Sequence, residues 1–143
     1  MVVINQYQHV RCKVKMNRIL AVIPARAGSK GVPNKNIRLV NTRPLIWYAI
    51  KNALDSKFIT DIIVTTDSPE IEIIASQMGV ECRRRDPELC RDDVALDAVI
   101  YDASRKMGYD YIVTMQPTSP TLKSCTLDNA IEYCIKNNLE TLI

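Results

Sequence analysis

The sequence has 143 residues, 47% of them hydrophobic and 24% charged, a composition that excludes disordered and fibrous classes and fits one domain with a sizeable core. Its net charge of +3 conceals a split: no Asp or Glu precedes Asp55, so the first 54 residues carry +10, and the other 89, with nine cations and sixteen acids, carry −7. Such asymmetry points to a polyanionic ligand of the phosphate, nucleotide or nucleic-acid class.

Residues 1–16 match no element and are read as a leader, disordered or non-native. They are polar and basic and lack a small-residue cleavage site, which argues against a signal peptide. Ile19-Leu20-Ala21-Val22-Ile23, ended by Pro24, has the pattern of a strand buried on both faces. The run Ile19 to Pro24 is the longest apolar one, far short of the ~20 residues that span a bilayer. A Gly/Ser/Lys/Pro loop follows from Ala25 to Asn36. Pro44 then stands where a helix can begin, with Ile46, Ala49, Ile50, Ala53 and Leu54 at helical spacing.

Asp61 to Thr66 reads as a second strand, and Ile71, Ile74, Ala75 and Met78 stripe a helix that Gly79 closes. Val80 to Arg83 reads as a short third strand leading into a polar loop, Arg85-Asp86-Pro87-Glu88. Asp92 or Asp93 caps the next helix, with stripe Leu96, Val99, Ile100, Ala103 and Met107 and a stop at Gly108. Tyr111 to Met115 is the fourth strand, and two prolines hold Gln116 to Pro120 out of helix. Ser124 or Thr126 caps a last helix bearing Leu127, Ala130, Ile131, Cys134 and Ile135, and Thr141-Leu142-Ile143 begins a fifth strand.

Strands separated by helices of this length need crossovers, so the expected fold is a doubly wound, Rossmann-like α/β domain over residues 17–143, its mostly parallel sheet covered on both faces. The unfinished last strand reads as truncation of a longer protein after the fourth helix. Ligands in such sheets bind beyond the carboxyl ends of the strands, where the loops after strands one, three and four lie. Five cysteines without a C-x-x-C pair argue against a disulfide framework and a zinc site, and the single His9 removes His-based triads. The cytoplasm is the default compartment.

The first of those loops, Pro24-Ala25-Arg26-Ala27-Gly28-Ser29-Lys30-Gly31-Val32-Pro33-Asn34-Lys35-Asn36, combines two glycines, a hydroxyl and three cations. Gly28 and Gly31 permit backbone N–H groups to converge on an anion, and the cations neutralise it. Neither the G-x-x-x-x-G-K-[ST] nor the G-x-G-x-x-G spacing is present. A basic surface loop is the plain alternative.

This segment resembles the nucleotide-binding signature of the acylneuraminate cytidylyltransferases, the CMP-sialic acid synthetases. Val64-Thr65-Thr66-Asp67, Arg85-Asp86-Pro87-Glu88-Leu89 and Gln116-Pro117-Thr118-Ser119-Pro120 resemble further blocks of that family, in the same order, extending the likeness over about Asn17 to Ile143. The resemblance implies transfer of CMP from CTP to the anomeric hydroxyl of a nine-carbon 2-keto sugar acid (a nonulosonic acid), releasing pyrophosphate. It implies triphosphate contacts from Arg26, Gly28, Ser29 and Lys35, with Lys30 beside them, and Arg26 and Lys35 as the candidate catalytic residues. It implies Asn36 and Arg85 facing cytidine, Gln116 facing the acceptor sugar, and a homodimeric full-length protein. The implied Mg²⁺ would take its ligands from beyond Ile143, so residues 1–143 are expected to be catalytically incomplete.

Two departures stand out. Val94-Ala95-Leu96 occupies positions where the family often has Ser or Thr, and Thr121-Leu122-Lys123 replaces a commoner Leu-Arg. Rival readings are a nucleotidyltransferase for Kdo or a sugar 1-phosphate, and a nucleic-acid-binding module using the basic half. The spread of the cations among glycines and prolines, and the lack of an aromatic series, argue against nucleic acid. No membrane partner is expected. Asp67 reads as an Asx turn opening the next helix, and Arg85, third of a triple Arg, competes with a solvated-face reading.

Overall fold

The computed structural model describes residues 2–6, 17–28, 31–105 and 107–143, the first of these segments as backbone only. In chain order it contains β1 (Val2–Gln6), β2 (Ile19–Pro24), β3 (Leu39–Val40), β4 (Arg43–Pro44), α1 (Leu45–Leu54), β5 (Asp61–Thr66), α2 (Pro69–Gln77), β6 (Glu81–Arg84), α3 (Leu96–Ser104), β7 (Tyr111–Met115), α4 (Ser124–Lys136) and β8 (Thr141–Leu142). Single 3₁₀ turns lie at Lys35–Ile37 and Pro87–Cys90.

The main sheet runs β6-β5-β2-β7-β1-β8. Its first four strands are mutually parallel, as the alternation of strand and helix requires. β1 pairs antiparallel with β7, from Val2 opposite Met115 to Gln6 opposite Tyr111, and also with β8. This corrects the reading of residues 1–16 as matching no element, since positions 2–6 form a strand inside the sheet. Five residues are too few to carry a period by themselves, and the edge of β7 that supplies their pairing lies about a hundred residues further along the chain.

β2 is the central parallel strand, and Ile19 to Ile23 are all at most 1% exposed. Ile19, Ala21 and Ile23 pack with Val64, Val113 and Met115 against Ile46 and Ile50 of α1, Ile71 of α2 and Leu127 and Ile131 of α4. On the opposite face Leu20, Val22, Ile63 and Ile112 meet Ile100 and Ala103 of α3. Helices therefore cover both faces, and among the described residues α3 is the helix on the second. After β6 the chain passes from one flank of β2 to the other, so the switch in strand order falls between β2 and β7.

Several helix ends differ from the sequence reading. α3 starts after Ala95 and α4 after Lys123, neither with a side-chain cap, so Asp92, Asp93 and Thr126 are not caps and Ser124 is already helical. α3 stops at Ser104, where Arg83 Nη1 donates to the Ala103 carbonyl at 2.6 Å, and Gly108 lies beyond the end with φ +63°. Gly79 follows α2 in the left-handed region as expected. The hairpin of β3 and β4, absent from the sequence reading, turns at Asn41 and Thr42 with φ of 45° and 72°. Two consecutive left-handed residues make a tight hairpin turn, and Thr is a poor signal for one.

Asp128 of α4 is 9% exposed, and its carboxylate accepts from Ser56 Oγ at 2.6 Å and from the Lys57 backbone N–H at 3.2 Å. It thereby ties α4 to the segment between α1 and β5. Asp128→Ala leaves both donors without their charged acceptor and is expected to destabilise the fold by about 2 kcal/mol, with Asp128→Asn milder. Urea denaturation checks this, and an unchanged midpoint in the Ala variant would count against the tie.

Candidate functional site

Because β2, β5, β6 and β7 run parallel, the segments that leave their carboxyl ends meet at one rim of the sheet. A cavity of about 290 Å³ opens there, lined by Arg26, Gly28, Lys35 and Asn36 after β2, Arg85, Leu89, Arg91, Asp92 and Val94 after β6, and Gln116, Pro117 and Thr118 after β7. Leu96 and Val99 of α3 close one wall. Of the eight residues singled out from the sequence, Arg26, Gly28, Lys35, Asn36, Arg85 and Gln116 all line this cavity. Ser29 and Lys30 lie outside the described residues.

The loop after β2 is held from beneath by the end of β5. Ala25 N–H donates to the Thr65 carbonyl at 3.0 Å, and Ala27 N–H donates to Asp67 Oδ1 at 2.7 Å. Asp67 thus anchors this loop rather than opening α2. Ser68 caps α2 instead, accepting from Ile71 N–H at 3.4 Å. Asn36, 8% exposed, donates from Nδ2 to the Arg26 carbonyl at 3.1 Å and so closes the loop across its base. Among the described residues of the loop the left-handed one is Asn34, with φ 54°, and not either glycine. Open space surrounds the Cβ position of both glycines, so at Gly28 the missing side chain leaves cavity volume free.

The triple Arg divides by environment. Arg84 has its side chain 73% exposed near Glu72, and Arg83 serves the end of α3, whereas Arg85 is 7% exposed. Arg85 Nη2 donates to the Thr65 carbonyl at 2.9 Å, the same oxygen that receives Ala25 N–H. Burial pushes its guanidinium below the usual range, with Cys90 and Asp67 opposing that shift and Arg26 adding to it. Burial likewise raises the Cys90 thiol, reinforced by Asp67, so it is held as the neutral thiol.

Arg26 Nη1 pairs with Asp92 Oδ1 at 2.5 Å and donates to the Cys90 carbonyl at 3.3 Å. Arg91 forms a two-point pair with Asp93, at 3.1 and 2.7 Å. Among the described residues Lys35 has no ion-pair partner and the Gln116 amide no hydrogen-bond partner, and both line the cavity. Sequence reasoning missed Arg91, Asp92, Val94 and Thr118 as lining residues. The only signal for them was their place in the loops already assigned to the ligand rim. At the departure Val94-Ala95-Leu96, Val94 and Leu96 give the cavity an apolar stretch of lining. Among the described lining residues Arg26, Lys35, Arg85 and Arg91 outnumber the carboxylate of Asp92, and with Arg91 held by Asp93 the positive excess that favours an anion there lies with Lys35 and Arg85.

Comparison with known proteins bears on this arrangement. A family model described as Cytidylyltransferase matches residues 20–142. The CMP-N,N'-diacetyllegionaminic acid synthase of Legionella pneumophila is 41% identical over 125 residues, covering 80% of this chain and 52% of the relative. The N-acylneuraminate cytidylyltransferase of Escherichia coli O18:K1:H7 is 36% identical over 116 residues, covering 80% of this chain and 28% of the relative. A solved CMP:2-keto-3-deoxy-manno-octonic acid synthetase complexed with CTP superposes with a TM-score of 0.74 at 20% identity, over 85% of this chain and 49% of that one, a likeness of fold. The chain spans about half the length of the first of these relatives or less of the others. With its parallel sheet, its rim cavity and a family match over almost all of residues 17–143, the chain belongs to the cytidylyltransferase family.

Proposed function

We propose that residues 17–143 form the nucleotide-binding portion of an enzyme that transfers CMP from CTP to the anomeric hydroxyl of a nine-carbon 2-keto sugar acid. The observation that carries this reading is the convergence of Arg26, Lys35, Asn36, Arg85 and Gln116 on one cavity in a chain of this family. In the reaction the sugar hydroxyl oxygen attacks the α-phosphorus, the bond to the bridging oxygen of the β-phosphate breaks, and pyrophosphate leaves with the negative charge. Most of the barrier to such a step is positioning and charge neutralisation. Arg26 and Lys35, which both line the cavity from the glycine loop, are assigned to the phosphates that accumulate charge as pyrophosphate leaves.

Asn36 and Arg85 sit deeper, tied to backbone carbonyls, and are assigned to the cytidine. Gln116, with a free amide facing the cavity among the described residues, is assigned to the acceptor. The names of the relatives direct attention to sialic-acid-type and legionaminic-acid-type acceptors. Kdo is the alternative within the same chemistry. Among the described residues no helix is long and apolar enough to cross a membrane. Cytoplasmic location and a homodimer of the longer protein are part of the proposal.

Mg²⁺ is proposed as the metal that screens the triphosphate when bound. Among the described residues no group of three or more His, Cys, Asp or Glu converges, so these residues do not by themselves form a centre for it. No step is therefore assigned to the metal here, and its ligands are proposed to lie outside residues 1–143.

Calorimetric titration of the 143-residue chain should show CTP binding in preference to UTP, ATP and GTP. Arg26→Ala and Lys35→Ala should each weaken CTP by about tenfold or more, the scale of a lost charge-assisted contact. Equal binding of all four nucleotides, or tighter and steeply salt-dependent binding of DNA or RNA, would overturn the reading in favour of a phosphate-footprint module. Arg85→Lys retains the charge but not the planar reach to the Thr65 carbonyl. It is expected to lower the unfolding midpoint and narrow the CTP preference together, and a variant with undiminished discrimination would remove Arg85 from base recognition.

A further inference from the structure

Arg26 has a guanidinium whose two edges are unequally used. Its Nη1 carries both contacts made to the loop after β6, the 2.5 Å pair with Asp92 Oδ1 and the 3.3 Å bond to the Cys90 carbonyl. Among the described residues its Nε and Nη2 have no partner, and the side chain is 34% exposed where it lines the cavity. A guanidinium offers its donors as a rigid planar fork, so pinning one corner orients the opposite edge. The edge left over presents two parallel N–H groups, the geometry that takes a phosphate in bidentate fashion.

Asp92 is not placed for a helix role. α3 begins after Ala95 without a side-chain cap, and the neighbouring Asp93 is engaged with Arg91. The carboxylate at 92 instead reaches across the cavity, joining the loop that supplies Arg26 to the loop that supplies Arg85. Its own charge opposes an incoming anion, but it is already paired and 40% exposed, so solvent and the guanidinium screen most of that opposition. The orienting effect acts on the contact itself and is not screened in this way.

We propose that Asp92 is a positioning residue for the phosphate-binding Arg26, holding Nη1 so that the Nε–Nη2 edge faces the triphosphate. This rests on the nucleotide reading above. It makes Asp92 part of the recognition apparatus, acting through another residue and without touching the ligand.

The test is a double-mutant cycle on the 143-residue chain at fixed ionic strength, with CTP and with inorganic tripolyphosphate as probes. Asp92→Ala should weaken binding about tenfold in the wild-type background and less than about twofold in the Arg26→Ala background, since the effect passes through Arg26. Asp92→Asn, which retains an acceptor oxygen and the side-chain shape, should weaken it about threefold and covers the case in which the Ala variant fails to fold. A structural role alone would instead weaken binding by the same factor with or without Arg26. That result, or tighter binding by Asp92→Ala, overturns the proposal while leaving the nucleotide reading intact. Wild-type protein that binds tripolyphosphate but not CTP overturns the cytidine assignment and leaves the cycle to be decided with tripolyphosphate. Wild-type protein that binds neither overturns both.

Discussion

Everything at the rim depends on the parallel pairing of one strand with two neighbours. β2 is bonded to β5 on one side and β7 on the other, with both faces covered by helices. A strand so enclosed has to be apolar and cannot carry chemistry along its length, which displaces the polar work to the loop at its carboxyl end. Register then determines which groups meet there. Pro24 lies opposite Thr65, and Thr66 lies opposite Arg84, so the chain leaves β2, β5 and β6 within about one residue of the same level. The Thr65 carbonyl uses this coincidence, accepting from Ala25 N–H and from buried Arg85. One backbone oxygen thus fixes both the start of the glycine loop and the deepest cation of the cavity.

The parallel core was legible because each of its signals is local. A continuous apolar run at Ile19 to Ile23 read as a strand buried on both faces, Asp61 to Thr66 and Tyr111 to Met115 read as further strands, and three- and four-residue stripes identified the helices between them. Even there the stripes overreach at their ends. Leu54 was grouped with the buried face of its helix and is 46% exposed, and Met107 lies beyond the end of α3. β1 and the β3–β4 hairpin were not legible, since one is stabilised by distant partners and the other turns at Asn41-Thr42 with no glycine to mark it.

The site was legible in its loops and not in its carboxylates. Arg26 and Lys35 stood out in a loop of glycines and charges, but Arg26, Lys35, Asn36, Arg85 and Gln116 were named as a set through the family resemblance of their loops, which strand order sends to one rim. Asp67 and Asp92 were read as local devices, an Asx turn and a cap. Asp side chains make such bonds often, and sequence offers no rival partner within a few residues. In the fold each found a distant donor instead, Ala27 N–H for Asp67 and Arg26 for Asp92. α3 consequently begins with no side chain capping it. Ordering the loops takes precedence over finishing the helices, a choice made by tertiary contacts that no spacing rule contains.

The division of charge along the chain does not survive folding as a division in space. Arg18 approaches Asp61, Arg26 pairs with Asp92 and Lys51 pairs with Asp55, so cations of the first 54 residues are answered by acids of the remainder. Averaged over the surface, an excess of three charges would steer polyanions weakly at physiological ionic strength. What matters is where compensation is incomplete. Around the cavity Arg26 is paired with Asp92 and Arg91 with Asp93, whereas among the described residues Lys35 and Arg85 have no ion-pair partner, and Arg85 is largely withdrawn from water. A cation in that setting acts through a lower effective dielectric than the exposed ones, and each unit of uncompensated charge there is worth several times its surface equivalent to an entering phosphate. The cations that line the cavity thus come from both halves of the sequence, Arg26 and Lys35 from the basic one and Arg85 and Arg91 from the one whose net charge is negative.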